Sequence, residues 1–183
     1  EQTYRNSEPN DYIKAINYLL NQGYWVFRMG KLVEKSIEIQ HPKFFDYAVS
    51  ELKSDFLDIW INANCYFAIS NSCGLDEVQR TFRKPILHVN ISPPGQYISG
   101  LNNVQSIIKK MKFTKTNDLL SLKQMIDLDV INVKYTSDLE KNGIEYINNE
   151  PDEIKAATVE FDKRLQGLWN ESEEYKKLKL EFI

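Results

Sequence analysis

Residues Tyr66 to Asn90, YFAISNSCGLDEVQRTFRKPILHVN, contain the clearest structural pattern in the chain. The apolar run at 66–69 is too short for a helix and predicts a buried strand. A helix is expected over about 75–82, and Pro85 ends it because the residue before a proline is kept out of the helical region. Its buried face is expected to carry Leu75, Val78 and Phe82. An apolar run at 86–89 predicts a second strand, parallel to the first and joined to it by a right-handed crossover.

The polar turn between the first strand and the helix is the candidate binding site. A helix N-terminus presents unpaired N–H groups and the positive end of its dipole, which suit a phosphate or a carboxylate. Small residues at 72–74 let a ligand approach the backbone closely. The alternative is that Ser72 caps the helix and Gly74 is an ordinary turn residue. The pattern alone leaves both interpretations open.

A resemblance to a known donor-site signature favours the first interpretation. Residues 72–77, SCGLDE, followed by Lys84-Pro85 resemble the Ser-Gly-Gly-x-x-Glu and Lys-Pro pattern in the C-terminal domain of GT-B epimerases and glycosyltransferases. In that pattern the small residues receive the diphosphate of a nucleotide sugar, and the glutamate helps to hold the nucleotide. Cys73 departs from the pattern, which usually has glycine there.

Further motifs extend the resemblance from Tyr4 to about Trp169. Together they resemble a family of glycosyltransferases assigned to bacterial surface-polysaccharide biosynthesis. These motifs are Tyr4-Arg5-Asn6, GYWVFRMG at 23–30, FDYA at 45–48 and GIEYINN at 143–149. The expected fold is α/β, a three-layer Rossmann-like sandwich with a mostly parallel sheet that forms one half of a GT-B enzyme. The predicted strands at 24–28, 66–70 and 86–90 should lie parallel in that sheet.

The resemblance and the strand pattern together give a set of candidate donor-binding residues. Arg28 follows the strand predicted at 24–28, and ligands of open α/β sheets bind beyond the carboxyl ends of strands. The alternative for Arg28 is an ion pair with a nearby carboxylate, and for Glu77 it is a solvated helix side chain instead of a ribose contact. Asp46 and Tyr47 could equally support a loop. The full set is Arg5, Arg28, Asp46, Tyr47, Ser70, Asn71, Ser72, Cys73, Gly74 and Glu77.

Composition narrows the class of protein. A hydrophobic content of 42% over 183 residues excludes disorder and allows one domain with a real core. The net charge of −3 argues against a nucleic-acid partner. Two cysteines without zinc-type spacing, with only His41 and His88 to join them, predict no metal site, and no other cofactor is expected. His88 is expected to be a hydrogen-bonded structural histidine in its buried strand.

The expected cellular setting follows from the same features. No apolar run approaches the ~18 residues of a membrane span. The two cysteines are most simply reduced, so a cytoplasmic location is expected, with a peripheral position at the inner membrane also compatible. The resembled family carries a strand with a His-Val-Arg-like motif before the Tyr-Arg-Asn segment. We therefore expect this chain to be a piece of a longer protein whose N-terminal domain is missing and supplies the catalytic base.

Several helices outside the central unit are also predicted. One runs from about 11 to 20 and stops at Gly23. A second begins after Ser54 and runs to about 62, and its buried face is expected to carry Leu52, Phe56, Ile59, Trp60 and Ala63. A short helix follows Ser121, and a longer one is expected to be capped by Asn149. Residues 105–113 are ambiguous between helix and strand.

Three functions are compatible with these expectations. The leading one is nucleotide-sugar donor binding for transfer to a glycan or lipid-linked acceptor. The second is a sugar-nucleotide epimerase or phosphate-releasing relative of the same fold. The third is a non-catalytic nucleotide-sugar binding module.

Overall fold

The structure is a computed structural model that describes residues 7–31, 33, 35–96, 103–133 and 135–181. Within these ranges the fold is mixed α/β with small, mostly parallel sheets. The strands are β1 (Val26–Phe27), β2 (Phe44–Phe45), β3 (Ala68–Ser70), β4 (Ile86–Ile91), β5 (Val104–Ile108), β6 (Lys110–Phe113) and β7 (Ile144–Ile147). The helices are α1 (Ile13–Asn21), α2 (Asp55–Asn64), α3 (Leu75–Thr81), α4 (Leu122–Asp127), α5 (Thr136–Lys141), α6 (Pro151–Leu165) and α7 (Glu173–Glu181). In the described part of the chain, 3₁₀ turns cover Pro9–Tyr12, Tyr47–Val49 and Pro94–Gln96.

The central strand–helix–strand unit is confirmed. β3 and β4 pair in parallel with α3 between them, and β5 adds a third parallel strand on the far side of β4. β1 instead pairs in parallel with β2 in a separate two-stranded sheet. The expectation that 24–28 joins the ladder of the other two strands is therefore wrong for the described residues. The cause is that the amide of Val26 donates to the carbonyl of Lys43, just before β2, and the amide of Arg28 donates to the carbonyl of Phe45 in β2.

The main core lies between β4 and the two helices α1 and α6. It contains Ala15, Leu87, Val89, Ile154, Ala157 and Phe161. Because side chains alternate along a strand, Leu87 and Val89 face these helices while His88 faces α3 on the opposite side of the sheet. Helices therefore contact both faces of the three-stranded sheet.

A second cluster forms around the antiparallel pair of β6 and β7. Met111, Met125 and Ile144 are among its buried members, and α4 and α5 cover it. The ambiguous segment at 105–113 is thus two strands. The predicted cap at Ser121 is confirmed, because its side chain accepts a hydrogen bond from the amide of Gln124 and forms a full capping box.

A buried carboxylate fastens α6 to the N-terminal part of the chain. Asp162 accepts hydrogen bonds from the hydroxyls of Tyr18, at 2.9 Å, and Tyr24, at 2.6 Å. Gln166 also donates to it, at 2.8 Å. Burial first, and then the hydrogen bond to Asp162, raise the pKa of both phenols to about 12. Both tyrosines therefore stay neutral donors through the ordinary pH range.

These two tyrosines predict a loss of stability at alkaline pH. Their folded-state pKa of about 12 lies above the unfolded value near 10, so the neutral form is favoured by folding. The stabilisation is fully present below pH 10 and disappears as the pH rises from 10 to about 12. We expect the denaturation midpoint to fall in this window. In the Asp162→Asn variant the midpoint should fall less over the same pH window. If its midpoint falls as steeply with pH as that of the parent chain, the two tyrosines are not the cause of the alkaline loss of stability.

The outer face of α2 departs from expectation. Phe56 is 71% exposed and Trp60 is 52% exposed, so the prediction that they are buried under the sheet is wrong. The side of α2 that packs is polar instead, because buried Asn62 accepts a hydrogen bond from Gln79 of α3 at 2.5 Å. Phe82, expected on the buried face of α3, is likewise 50% exposed. Ser54 does cap α2 as predicted, accepting from the amide of Leu57.

Because Trp60 is exposed, its truncation should have little effect on folding. The Trp60→Ala variant is expected to change the free energy of unfolding by less than about 1 kcal/mol, far below the ~3–5 kcal/mol of a core tryptophan. Chemical denaturation of both chains measures this difference. A loss of 3 kcal/mol or more, as for a core position, would show that Trp60 is covered in solution.

Candidate functional site at the carboxyl edge of the sheet

Polar side chains gather where the three parallel strands end. β3 ends at Ser70, β4 at Ile91 and β5 at Ile108. Because the strands are parallel, these ends share one edge of the sheet, which is the usual ligand-binding edge of open α/β sheets. Three segments meet at this edge and contact it or each other. They are the turn at 71–74, the first described residues of the chain and the segment at 148–149.

The turn itself is open. Ser72 has a φ of 62°, in the left-handed region, and the residue that precedes the first turn of α3 is Gly74 with a φ of −60°. The interpretation of Ser72 as the N-cap is therefore wrong. Gly74 makes no side-chain cap, and a Cβ atom added to it would meet nothing within 4 Å. Cys73 and Gly74 are exposed, so a ligand can approach the backbone here.

A buried carboxylate lies directly beneath this turn. Asp76, in the first turn of α3, is 2% exposed, and its Oδ2 is 3.1 Å from Nε2 of His88 on β4. Ser70 donates a short hydrogen bond to Oδ1 of the same carboxylate. The structural role expected for His88 is therefore confirmed, and the Ser70 hydroxyl positions the turn instead of facing a ligand. Asp76 itself was missed, because local pattern does not show that the crossover brings it to His88, twelve residues further along the chain.

The N-terminal 3₁₀ turn reaches the same edge. The side chain of Asn71 donates from Nδ2 to Oγ of Ser7 at 3.3 Å. Burial raises the pKa of the Tyr12 phenol, while hydrogen bonds with Ser7 and Asn90 oppose that rise. Burial also raises the pKa of the neighbouring Asp11 carboxyl, and a hydrogen bond from Asn148 acts in the opposite direction. Asn71 is thus held by the chain that precedes α1.

Two asparagines join β4 to the segment before α6. The amide of Asn90 donates to Oδ1 of Asn149, and the amide of Asn149 donates to Oδ1 of Asn90, each at 2.6 Å. Nδ2 of Asn149 also donates to the carbonyl of Ile108 at 2.9 Å. The prediction that Asn149 caps α6 is wrong, because its side chain is used in this pairing and Glu150 takes the cap position.

A lysine follows β5 at this edge. Lys109 is 2% exposed, and burial lowers the pKa of its ammonium group to about 8. Sequence reasoning did not select it, because it stands beside Lys110 in a segment that could be helix or strand. The alternation of β5 and β6 turns its neighbour Lys110 outward to pair with Glu153.

The remaining candidates have internal partners or lie on the surface. Nη1 of Arg28 contacts Oδ2 of Asp46 at 3.0 Å and donates to the carbonyl of Lys35 at 2.7 Å, which is the ion-pair alternative. Tyr47 is buried and exchanges hydrogen bonds with the backbone of Ser54, so it supports a loop. Glu77 is exposed and pairs with Arg80. Arg5 lies outside the described residues.

Comparisons with protein-family models, with curated proteins and with solved structures found no match. Among the described residues, no group of three His, Cys, Asp or Glu side chains could hold a metal ion. No helix in the described ranges is long and apolar enough to cross a membrane.

Proposed function

We propose that this chain is the nucleotide-sugar donor-binding domain of a glycosyltransferase that acts in bacterial surface-glycan assembly. In this proposal the α/β fold is a three-layer Rossmann-like sandwich, half of a GT-B architecture. The observation that supports it is the open turn at 71–74. This turn follows the carboxyl end of the parallel strand β3 and leads into α3. Backbone N–H groups at such a turn suit the diphosphate of a donor.

The roles of the side chains follow from their surroundings. The diphosphate would lie against the backbone of Ser72, Cys73 and Gly74, where no side chain fills the space beside Gly74. Ser70 and Asp76 hold that turn in place from beneath. Glu77 is exposed and free to turn from Arg80 towards a ribose hydroxyl. Arg28 can contribute only while it shares its guanidinium with Asp46.

The proposal implies partners beyond the donor. A glycan or lipid-linked acceptor and a second, N-terminal domain would complete the catalytic cleft, and that domain would supply the base. The donor is an anion that backbone N–H groups and basic side chains can hold without a metal. The proposal includes a cytoplasmic location, with the acceptor reached at the face of the inner membrane.

The Gly74→Ala variant tests the close backbone approach. Its φ of −60° and open surroundings accommodate a methyl group, so folding should be nearly unaffected. Donor binding should weaken at least about tenfold, because a charge-assisted hydrogen bond contributes about 1.5–3 kcal/mol. Titration calorimetry with UDP-, GDP- and CMP-sugars measures both chains.

Two further variants serve as controls for this prediction. Ser121→Ala removes the cap of α4, away from the turn, and should reduce stability by about 1 kcal/mol without changing donor affinity. Cys73→Gly restores the glycine of the donor-site pattern and should preserve or strengthen binding. Equal affinity of the parent and Gly74→Ala chains for all three donors would contradict the role of the turn.

A further inference from the structure

A cavity lies beyond the outer edge of β5, at the opposite side of the three-stranded sheet from β3. Among the described residues β5 is the last strand of this sheet. The carboxyl-terminal half of α6, the segment after it and α7 border the cavity, whose volume is about 420 Å³. That volume lies within the ~300–1,000 Å³ of small-molecule sites. The polar side chains in its lining are Gln105, Glu160, Arg164, Glu171, Tyr175 and Lys179.

The charges around this cavity balance each other. On α6, Glu160 and Arg164 are four residues apart and share one helix face, and Nε of Arg164 donates to Glu160 at 2.8 Å. Glu171, just before α7, is 3.9 Å from Nη2 of Arg164 and 3.6 Å from Nζ of Lys179. Two cations therefore face two carboxylates. A charged ligand would have to compete with one of these pairs, whereas a neutral ligand would leave them intact.

An arginine and two aromatic rings form one wall. The guanidinium carbon of Arg164 is 5.3 Å from the centre of the Trp169 ring and 5.8 Å from that of Tyr175. This stacking holds the guanidinium by its face, so its N–H edge remains available. The 3.9 Å between Nη2 and Glu171 is too long for a hydrogen bond. Tyr175 is 38% exposed, so its ring presents an apolar surface to a ligand.

Gln105 contributes an acceptor from the sheet. It is in register with Leu87 of β4, which packs against α6 in the main core, so its side chain lies on the α6 side. In the part of the chain that the structure describes, its Oε1 is buried and has no hydrogen-bond partner. Nε1 of Trp169 is buried in the same condition. Buried polar atoms are nearly always paired, so these two indicate a polar ligand at this place.

We propose that this cavity binds a neutral saccharide. A sugar ring has apolar C–H faces that can stack on Tyr175, and its hydroxyl groups both donate and accept hydrogen bonds. These hydroxyls donate to Oε1 of Gln105 and to the carboxylate of Glu171, and they accept from the N–H groups of Arg164. The inference stands independently of donor binding, because the cavity lies beyond β5 while the turn at 71–74 follows β3 at the other side of the sheet.

Sugar titrations of the 183-residue chain test the proposal. Glucose, maltose and N,N′-diacetylchitobiose are added to millimolar concentration, and nuclear magnetic resonance follows the side-chain amide of Gln105 and the indole N–H of Trp169. We expect at least one of these neutral sugars to shift both signals to saturation. Glucuronic acid is the charged counterpart of glucose and should bind more weakly, because its carboxylate would compete with Glu160 and Glu171 for Arg164.

Two variants and a control, followed through the Trp169 signal, locate the site. Gln105→Leu removes a buried oxygen that lacks a partner, so folding should not suffer, whereas sugar affinity should fall at least about fivefold with the lost hydrogen bond. Tyr175→Ala should weaken binding about five- to tenfold, because the stacking surface is lost. Tyr135→Ala truncates another exposed ring, outside the cavity lining, and should leave sugar affinity unchanged.

Three results would overturn the proposal. The first is the absence of a saturable shift with every neutral sugar. The second is an affinity of the Gln105→Leu and Tyr175→Ala chains equal to that of the parent, which would place the sugar elsewhere. The third is tighter binding of glucuronic acid than of glucose, which would make the cavity an anion site.

Discussion

The Asp76→Ala variant is expected to lose about 3–5 kcal/mol of folding free energy, one of the two largest single effects in the molecule. The carboxylate is buried and contacts both Ser70 and His88. Its removal leaves a buried imidazole and a hydroxyl without their acceptor. Chemical denaturation, followed by the circular dichroism of the helices, measures the loss.

The Asp76→Asn variant separates hydrogen bonding from charge. Its amide oxygen can still accept from Ser70 and its Nδ2 can donate to His88, so we expect a smaller cost of about 1–2 kcal/mol. If the alanine variant is as stable as the parent chain, the carboxylate does not fasten α3 to β4, and the turn at 71–74 has no fixed support.

The Arg28→Ala variant should lose about 3 kcal/mol, because it leaves the Asp46 carboxylate buried without its cation. Both side chains are nearly inaccessible, and Asp46 also accepts from the amide of Ile37 at 2.9 Å. The pair thereby fixes the loop that follows β1 against the segment after β2. Denaturant titration of the single and double alanine variants measures the coupling.

In the double variant Arg28→Ala with Asp46→Ala, the cost should be less than the sum of the two single costs by about 1–3 kcal/mol. If the cost of the double variant equals the sum of the two single costs, Arg28 and Asp46 do not stabilise each other. The same variants separate folding from donor binding, since a tenfold or larger loss of affinity in Arg28→Ala is meaningful only where the chain remains folded.

Much of the central unit could be predicted from local pattern. Two parallel strands and the helix between them could be predicted from the apolar runs at 66–69 and 86–89 and from Pro85, which ends the helix. Gly23 was correctly expected to end α1, where it has a φ of 89°. These features are determined by residues that are close together in the chain, so the sequence alone is enough to predict them.

The wrong predictions concern features that depend on contacts between residues far apart in the sequence. Helical spacing groups Phe56 with Trp60 on one face of α2, but it does not say which face meets another element, and the polar contact between Asn62 and Gln79 turned that face outward. Asn149 has the chemistry of a helix cap, yet its amide pairs with Asn90, which is 59 residues away. The pairing of β1 with β2 was not predicted, because local pattern does not reveal strand order.

The candidate site was only partly predictable for the same reason. The turn at 72–74 could be selected because small residues between a strand and a helix are visible in sequence. The side chains that hold the turn, Asp76 and His88, are brought together only by the crossover. For Arg28, sequence left an ion pair and a ligand contact equally open, and the structure contains the ion pair.

The most direct measurement is a crystal structure of the chain soaked with UDP-, GDP- and CMP-sugars in separate experiments. Donor binding as proposed predicts diphosphate density against the backbone of residues 72–74, with phosphate oxygens at hydrogen-bond distance from the N–H groups of the first turn of α3. Diphosphate density elsewhere on the molecule, or none with any of the three donors at concentrations where calorimetry detects binding, would contradict it.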